Sequence, residues 1–310
     1  MSNTSTTSWR AIEALVEHGH VLVNGTTLHY VQAGPREAPP LVLLHGFPES
    51  WIMWRRVIPE LAQQYRVVAA DLRGYGDSAK PPGPSGYDKR TMAIDVRDLI
   101  QTLELARPVV IGHDRGGRVA RRLALDAPEV IRGVALLDIL PAEWVYDHLS
   151  AAEVARSLWH WVFHLVPDLP EQLISGREEA YLTRLFARAP DGLARVRADR
   201  AWDEYLRVFR QPEALAAMLS DYRATFEVDV PHYRALNAAG TRMTPPALVL
   251  WGEKGNLVEQ PVLDIWRAVA VDVRGTAIPD CGHYLPEERP EMVMTHLQPF
   301  IAACLAEESM

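Results

Sequence analysis

The sequence predicts an α/β protein: a mostly parallel sheet covered by helices on both faces, with a helical cap domain inserted after the sixth strand. Three observations predict it. An alternating hairpin stands near the start, short apolar runs then alternate with helix-length segments, and one long strandless stretch interrupts that alternation. Strands alternating with helices imply βαβ units and a parallel sheet. Strands buried on both faces read as continuous apolar runs, as these do.

The elements follow in order. "HVLVNGTTLHYVQAG", residues 20–34, is two alternating strands joined at Asn24-Gly25. That dipeptide suits a two-residue hairpin because both turn positions need positive φ. The runs "LVLLHG", "RVVAADLRG", "PVVIGHD" and "GVALLD" are strands three to six, and segments 51–64, 90–105 and 116–127 between them are helix-length. From about Pro141 to Tyr233 there is helical periodicity, many tryptophans and prolines, and no convincing strand. "PALVLWGEKG" and "GTAIPDCGH" resume the alternation, and a helix from Pro290 to Glu307 closes it. Residues 1–140 and 236–310 are thus expected to form one core in two parts. Residues 141–235 are expected to form a cap over the carboxyl ends of the strands, where open α/β sheets bind ligands.

Composition narrows the function classes. The 310 residues are 48% hydrophobic and 23% charged, ordinary for a soluble globular protein. A formal charge of −8 without a dense Lys/Arg run argues against nucleic acid or an anionic membrane as partner. Cys281 and Cys304 are too few for a disulfide framework or a zinc ribbon, so a reducing, cytoplasmic setting is expected. "MSNTSTTSWRAIEALVEHG" lacks the basic-then-apolar order of a signal peptide, and no stretch reaches the roughly 18 apolar residues of a membrane span.

The chemistry centres on "GHDRGG", residues 112–117, between a strand and a helix. Small residues on both sides of Asp114 make a nucleophile-elbow pattern with aspartate in the place of serine. Carboxylate attack on an ester would give a reactive anhydride. Attack on a saturated carbon bearing a leaving group gives an ordinary ester that water can cleave. Asp114 therefore points to displacement at carbon, against the bland alternative of a helix-capping aspartate. Asp138 ends the sixth strand and His283 lies in "DCGHY" after the last, giving the chain order nucleophile, acid, histidine. His283 would activate water and Asp138 would orient it; Asp280, three residues before His283, is the alternative acid. "HGFP" at 45–48 offers the backbone N–H of Phe47, with that of Arg115, as an oxyanion site. No metal or organic cofactor is required, and no clustered metal-ligand spacing is seen.

The hairpin, "HGFPESWIMWRRVIP", "DLRGYGDS", the elbow and "GHY" together resemble the α/β-hydrolases that use an aspartate nucleophile, the epoxide hydrolases and dehalogenases. The elbow "DRGGR" is similar to that of the fluoroacetate (haloacetate) dehalogenases. That resemblance implies that Arg115 and Arg118 hold a substrate carboxylate, for which guanidinium is well suited. It implies that His160 and Trp161 of "WHW" and Tyr222 of "DYRA" bind the halide. It also implies a small-molecule haloacid substrate and a homodimer. Arg121 and Arg122 read as a solvated face, and His18 and His20 as solvated bystanders. "HGFPES" reads more like the epoxide-hydrolase loop, so an epoxide hydrolase sharing Asp114, Asp138 and His283 is the alternative. Tyr146, Tyr181 or Tyr205 would then partner Tyr222. A ligand-binding receptor on the same fold is the non-enzyme alternative.

Overall fold

The structure, a computed structural model, describes residues 9–189, 191–257 and 259–306. Residues 1–8, part of the segment read for a signal peptide, and Glu307, the expected end of the last helix, lie outside them.

Eight strands form a single sheet in the order β1-β2-β4-β3-β5-β6-β7-β8. β1 (Glu17–Val23) and β2 (Thr26–Ala33) are the expected hairpin, with Asn24 at φ 42° and Gly25 at φ 71° in the turn. β2 is antiparallel to β4 (Arg66–Ala70). β4, β3 (Pro40–Leu44), β5 (Val109–His113), β6 (Gly133–Leu137), β7 (Ala247–Gly252) and β8 (Val273–Ile278) are parallel to one another. Every residue of β3, β5 and β6 is buried, so the middle of the sheet is the core and its strands carry no polar face.

The helices differ from expectation in detail. Segment 51–64 is a 3₁₀ turn, Trp51–Trp54, followed by a short α-helix, Ile58–Leu61. Pro59 lacks an N–H to continue a helix and instead sits in the first turn of a new one. Helices Trp9–Leu15 and Val262–Val269 lie where no element was assigned. Between β6 and β7 the described elements are helical, from Ala142–His148 to Val230–Ala238, three residues beyond the expected boundary at 235. Helix Pro290–Ala306 packs against β6 and β7. No helix among the described residues is long and apolar enough to cross a membrane.

The fold brings four loops to the carboxyl edge of the parallel sheet. They carry "HGFP" after β3, Asp114 after β5, Asp138 after β6 and His283 after β8.

Candidate active site

Asp114 opens the helix Asp114–Asp126 at φ 42°, a left-handed conformation uncommon for a side chain larger than glycine. The tight crossing explains its small neighbours. A Cβ on Gly112 would lie 2.5 Å from Gly116 O, and one on Gly116 would lie 2.3 Å from Leu44 O. The N–H of Gly116 donates to His45 O at 2.9 Å, tying the elbow to the "HGFP" loop. The N–H of Phe47 donates to Asp114 Oδ1 at 3.0 Å, while Oδ2 has no hydrogen-bond partner among the described residues. Burial pushes the Asp114 carboxyl up, but the neighbouring His283 when protonated, then Arg115, His113 and Arg118, outweigh it and hold it at about 2. The carboxylate is therefore ionised at neutral pH.

His283 Nδ1 meets Asp138 Oδ2 at 2.6 Å, and the N–H of Gly252 donates to Asp138 Oδ1 at 2.9 Å. Asp138 is thereby fixed as an acceptor, so the His283 proton sits on Nδ1 and Nε2 carries a free lone pair. Burial is the main reason that the His283 pKa is lowered, only partly offset by Asp138. The other acid, Asp280, is exposed and paired with Lys254. Asp138, not Asp280, is the carboxylate paired with His283.

A buried pair beneath this dyad was not anticipated. His113 Nδ1 faces Glu49 Oε2 and its Nε2 faces His283 O, both at 2.9 Å. Burial opposes charge on His113, but Glu49 overcomes it and raises the imidazole to about 9. The resulting imidazolium donates at both nitrogens and pins the His283 backbone. Each signal stood in plain sight, Glu49 in "HGFPES" and His113 immediately before Asp114, but neither spacing indicates that they meet.

Above these residues is a small cavity of about 40 Å³, room for roughly three waters. Asp114, His283 and Arg118 line it, together with His160, Trp161 and Tyr222. The last three come from helices Trp159–Leu165 and Ala214–Ala224. The His160 and Tyr222 rings are 5.9 Å apart, and those of Trp161 and Tyr222 6.4 Å apart. Burial, then the charge of Arg188, puts the His160 pKa well below its ordinary value, so the ring is neutral.

The two predicted arginines part company. Arg118 lines the cavity, its guanidinium 4.8 Å from the Trp161 ring and its Nη1 donating to Leu140 O at 3.0 Å. It has no acidic hydrogen-bond partner among the described residues, and its buried Nε has no partner at all. Arg115 instead runs to Asp221, donating from Nε to Oδ2 at 3.0 Å and from Nη2 to the Asp221 carbonyl at 3.0 Å. Asp221 also accepts from Tyr75 and Lys89, so it gathers two buried cations. Three residues of helix advance about 300°, close enough for a shared face but not for a shared direction. Of the Arg115 side-chain nitrogens, Nη1 alone has no partner among the described residues.

Other expectations change too. Arg121 and Arg122 are buried, bound to Glu143 and Asp126, because the helix Asp114–Asp126 is enclosed rather than solvated. His18 is exposed, as is His20, but His18 is hydrogen-bonded to His29 at 2.9 Å. Tyr205 is spent on Glu287 and Tyr181 on His164, so neither is a free partner for Tyr222. Tyr146 lies 5.6 Å from the Trp161 ring, with its buried hydroxyl unpartnered. Trp159 is half-buried against Tyr181 and Phe163. Sequence reasoning missed Arg188, which lines the cavity from just beyond the helix Glu178–Phe186. His29, Asp71 and Asp77 have metal-like spacing among the described residues. Their polar atoms are committed elsewhere: His29 to Asp71, Asp71 to the N–H groups of Trp51 and Asp77, and Asp77 to Arg207.

Comparison with known proteins places this geometry. The profile of the alpha/beta hydrolase fold matches residues 39–290. A soluble epoxide hydrolase of Corynebacterium sp. (strain C12) is 37% identical over 289 residues, 93% of this chain and 98% of that one. A fluoroacetate dehalogenase of Burkholderia sp is 36% identical over 290 residues, 90% of this chain and 92% of that one. A solved structure from Nostoc sp PCC 7120, provisionally described as an alpha/beta hydrolase, is 40% identical with a TM-score of 0.87. It covers 92% of this chain and 98% of that one.

Proposed function

The chain belongs to the alpha/beta hydrolase family, and from that premise we propose that it hydrolyses short 2-haloacids, such as fluoroacetate or chloroacetate, through an ester on Asp114. Arg118 carries this reading. A buried guanidinium without an acidic partner among the described residues, in the same small cavity as an ionised aspartate, calls for an anionic substrate. A neutral epoxide has no use for it.

Asp114 Oδ2 attacks the α-carbon of the acid held at Arg118, and the halide leaves with the bonding electron pair. Arg115 contributes positive charge beside the nucleophile. His160, Trp161 and Tyr222 receive the halide with N–H and O–H donors in place of water. His283 Nε2 then takes a proton from water, whose oxygen attacks the carboxyl carbon of the Asp114 ester. Negative charge gathers on Oδ1, which already accepts the Phe47 N–H. The bond from that carbon to Oδ2 breaks, Oδ2 takes the proton held by His283, the 2-hydroxyacid departs, and Asp114 releases its remaining proton to water. The test is halide release from fluoroacetate and chloroacetate by wild type and Asp114→Asn. Release by wild type that Asp114→Asn abolishes is expected; no release by wild type from either acid overturns the proposal.

Epoxide hydrolysis is the second reading, favoured by "HGFPES" and by the Corynebacterium relative. Asp114, Asp138 and His283 would serve unchanged, with Tyr222 protonating the epoxide oxygen. Turnover of styrene oxide without halide release from haloacids would establish it instead.

A further inference from the structure

The cavity holds more positive charge than a substrate carboxylate requires. Arg188 lines it with Asp114, His160 and His283, and its partners are all uncharged. Nε donates to Leu185 O at 3.1 Å, Nη1 to His160 Nε2 at 3.4 Å and Nη2 to Tyr284 Oη at 3.3 Å. The last two are long beside the usual 2.9–3.0 Å of such bonds, so the guanidinium is held loosely at that end. Arg118 sits instead against Trp161 and Leu140 O. Two guanidinium groups without acidic partners among the described residues therefore face the carboxylate of Asp114, since Asp138 is taken up by His283.

Counted over the groups that line the cavity, charge stays balanced through the displacement when both are used. Before it, Asp114 and the substrate carboxylate carry two negative charges against Arg118 and Arg188. Afterwards the ester on Asp114 is neutral, and its negative charge has moved to the halide. Arg118 remains with the carboxylate, so the second cation belongs with the halide, where His160 lies. Resting on the haloacid reading above, we propose that Arg188 is an anion-binding residue for the leaving group, holding the departing halide beside His160, Trp161 and Tyr222. Its donation to His160 Nε2 places that ring's proton on Nδ1, a nitrogen without a protein partner. Fluoride, the smallest and most strongly hydrated halide, gains most from a fixed cation in a site with little water.

The test compares wild type, Arg188→Gln and Arg188→Lys on fluoroacetate, chloroacetate and bromoacetate. Loss of the charge is expected to lower kcat for fluoroacetate about 100-fold, for bromoacetate less than about tenfold, and to leave KM nearly unchanged. Lysine, which keeps the charge, is expected to restore most of the loss. Equal losses on all three acids, or none, would overturn the assignment. Chloride and bromide are also titrated into wild type and Arg188→Gln, reading tryptophan fluorescence, because Trp161 lines the same cavity. Halide affinity is expected to fall about tenfold or more in the variant, and an unchanged affinity would overturn the proposal. This titration decides Arg188 even if wild type releases no halide, a result that would defeat only the haloacid reading.

Discussion

Replacing Arg118 with methionine separates binding from folding. Methionine keeps the apolar stem against Trp161 and removes the charge, the Leu140 O contact and the proposed carboxylate contact. A hydrogen bond to a charged group contributes about 1.5–3 kcal/mol, so the KM for chloroacetate should rise about 10- to 150-fold. The kcat should fall much less, because Asp114, His283 and the halide donors stay in place. Stability should move the other way or not at all. Burial and the neighbouring Arg115 both lower the Arg118 pKa, the mark of a cation held at a cost. Freeing Leu140 O costs about 1 kcal/mol, offset by removing that cation. Steady-state halide release and a thermal melt measure the two effects. A wild-type KM in Arg118→Met would refute the anchoring role, and a large fall in Tm accompanying a raised KM would assign the effect to structure instead.

The two half-reactions should separate with pH. Asp114 stays ionised down to about 2, whereas His283, its pKa lowered from 6.5 by burial, turns into a cation only in more acidic solution. As the pH falls below the ordinary imidazole range of about 6.5, hydrolysis should fail before ester formation, so acid-quenched enzyme should carry more adduct toward the acid end of a pH series; equal labelling throughout would contradict the assigned roles. The His113–Glu49 pair makes an opposite demand. His113 is raised from 6.5 to about 9, so its contribution to stability is complete below 6.5 and is lost as pH rises through about 9. Tm should therefore decline across that window in wild type and less in Glu49→Gln; parallel curves would show that the pair carries no such linkage. Asp221→Asn leaves Arg115 and Lys89 buried with their shared anion gone. It should cost about 3–5 kcal/mol in urea denaturation, and a wild-type midpoint would contradict the role of Asp221 as their common partner.

Most of the framework was legible because it depends on local rules. Asn24-Gly25 demands a turn, continuous apolar runs demand a covered sheet, and the glycines around Asp114 demand a close crossing of strand and helix. The chain order of Asp114, Asp138 and His283 carried their meeting, since each ends a strand at the same edge of the sheet. What escaped depends on pairing across the fold. Arg115 and Arg118 look equivalent in "DRGGR", yet Asp221, more than 100 residues away, claims only Arg115. Glu143 and Asp126 likewise bury Arg121 and Arg122, which read as solvated. Arg188 is one of many arginines in the helical stretch, and only the cavity distinguishes it.

The most direct measurement is the mass of His283→Asn after exposure to chloroacetate, with the labelled peptide mapped. Asp114 should gain one carboxymethyl group and keep it, because the variant can form the ester but lacks the base that cleaves it. An unlabelled protein, or a label on any residue other than Asp114, would contradict the account.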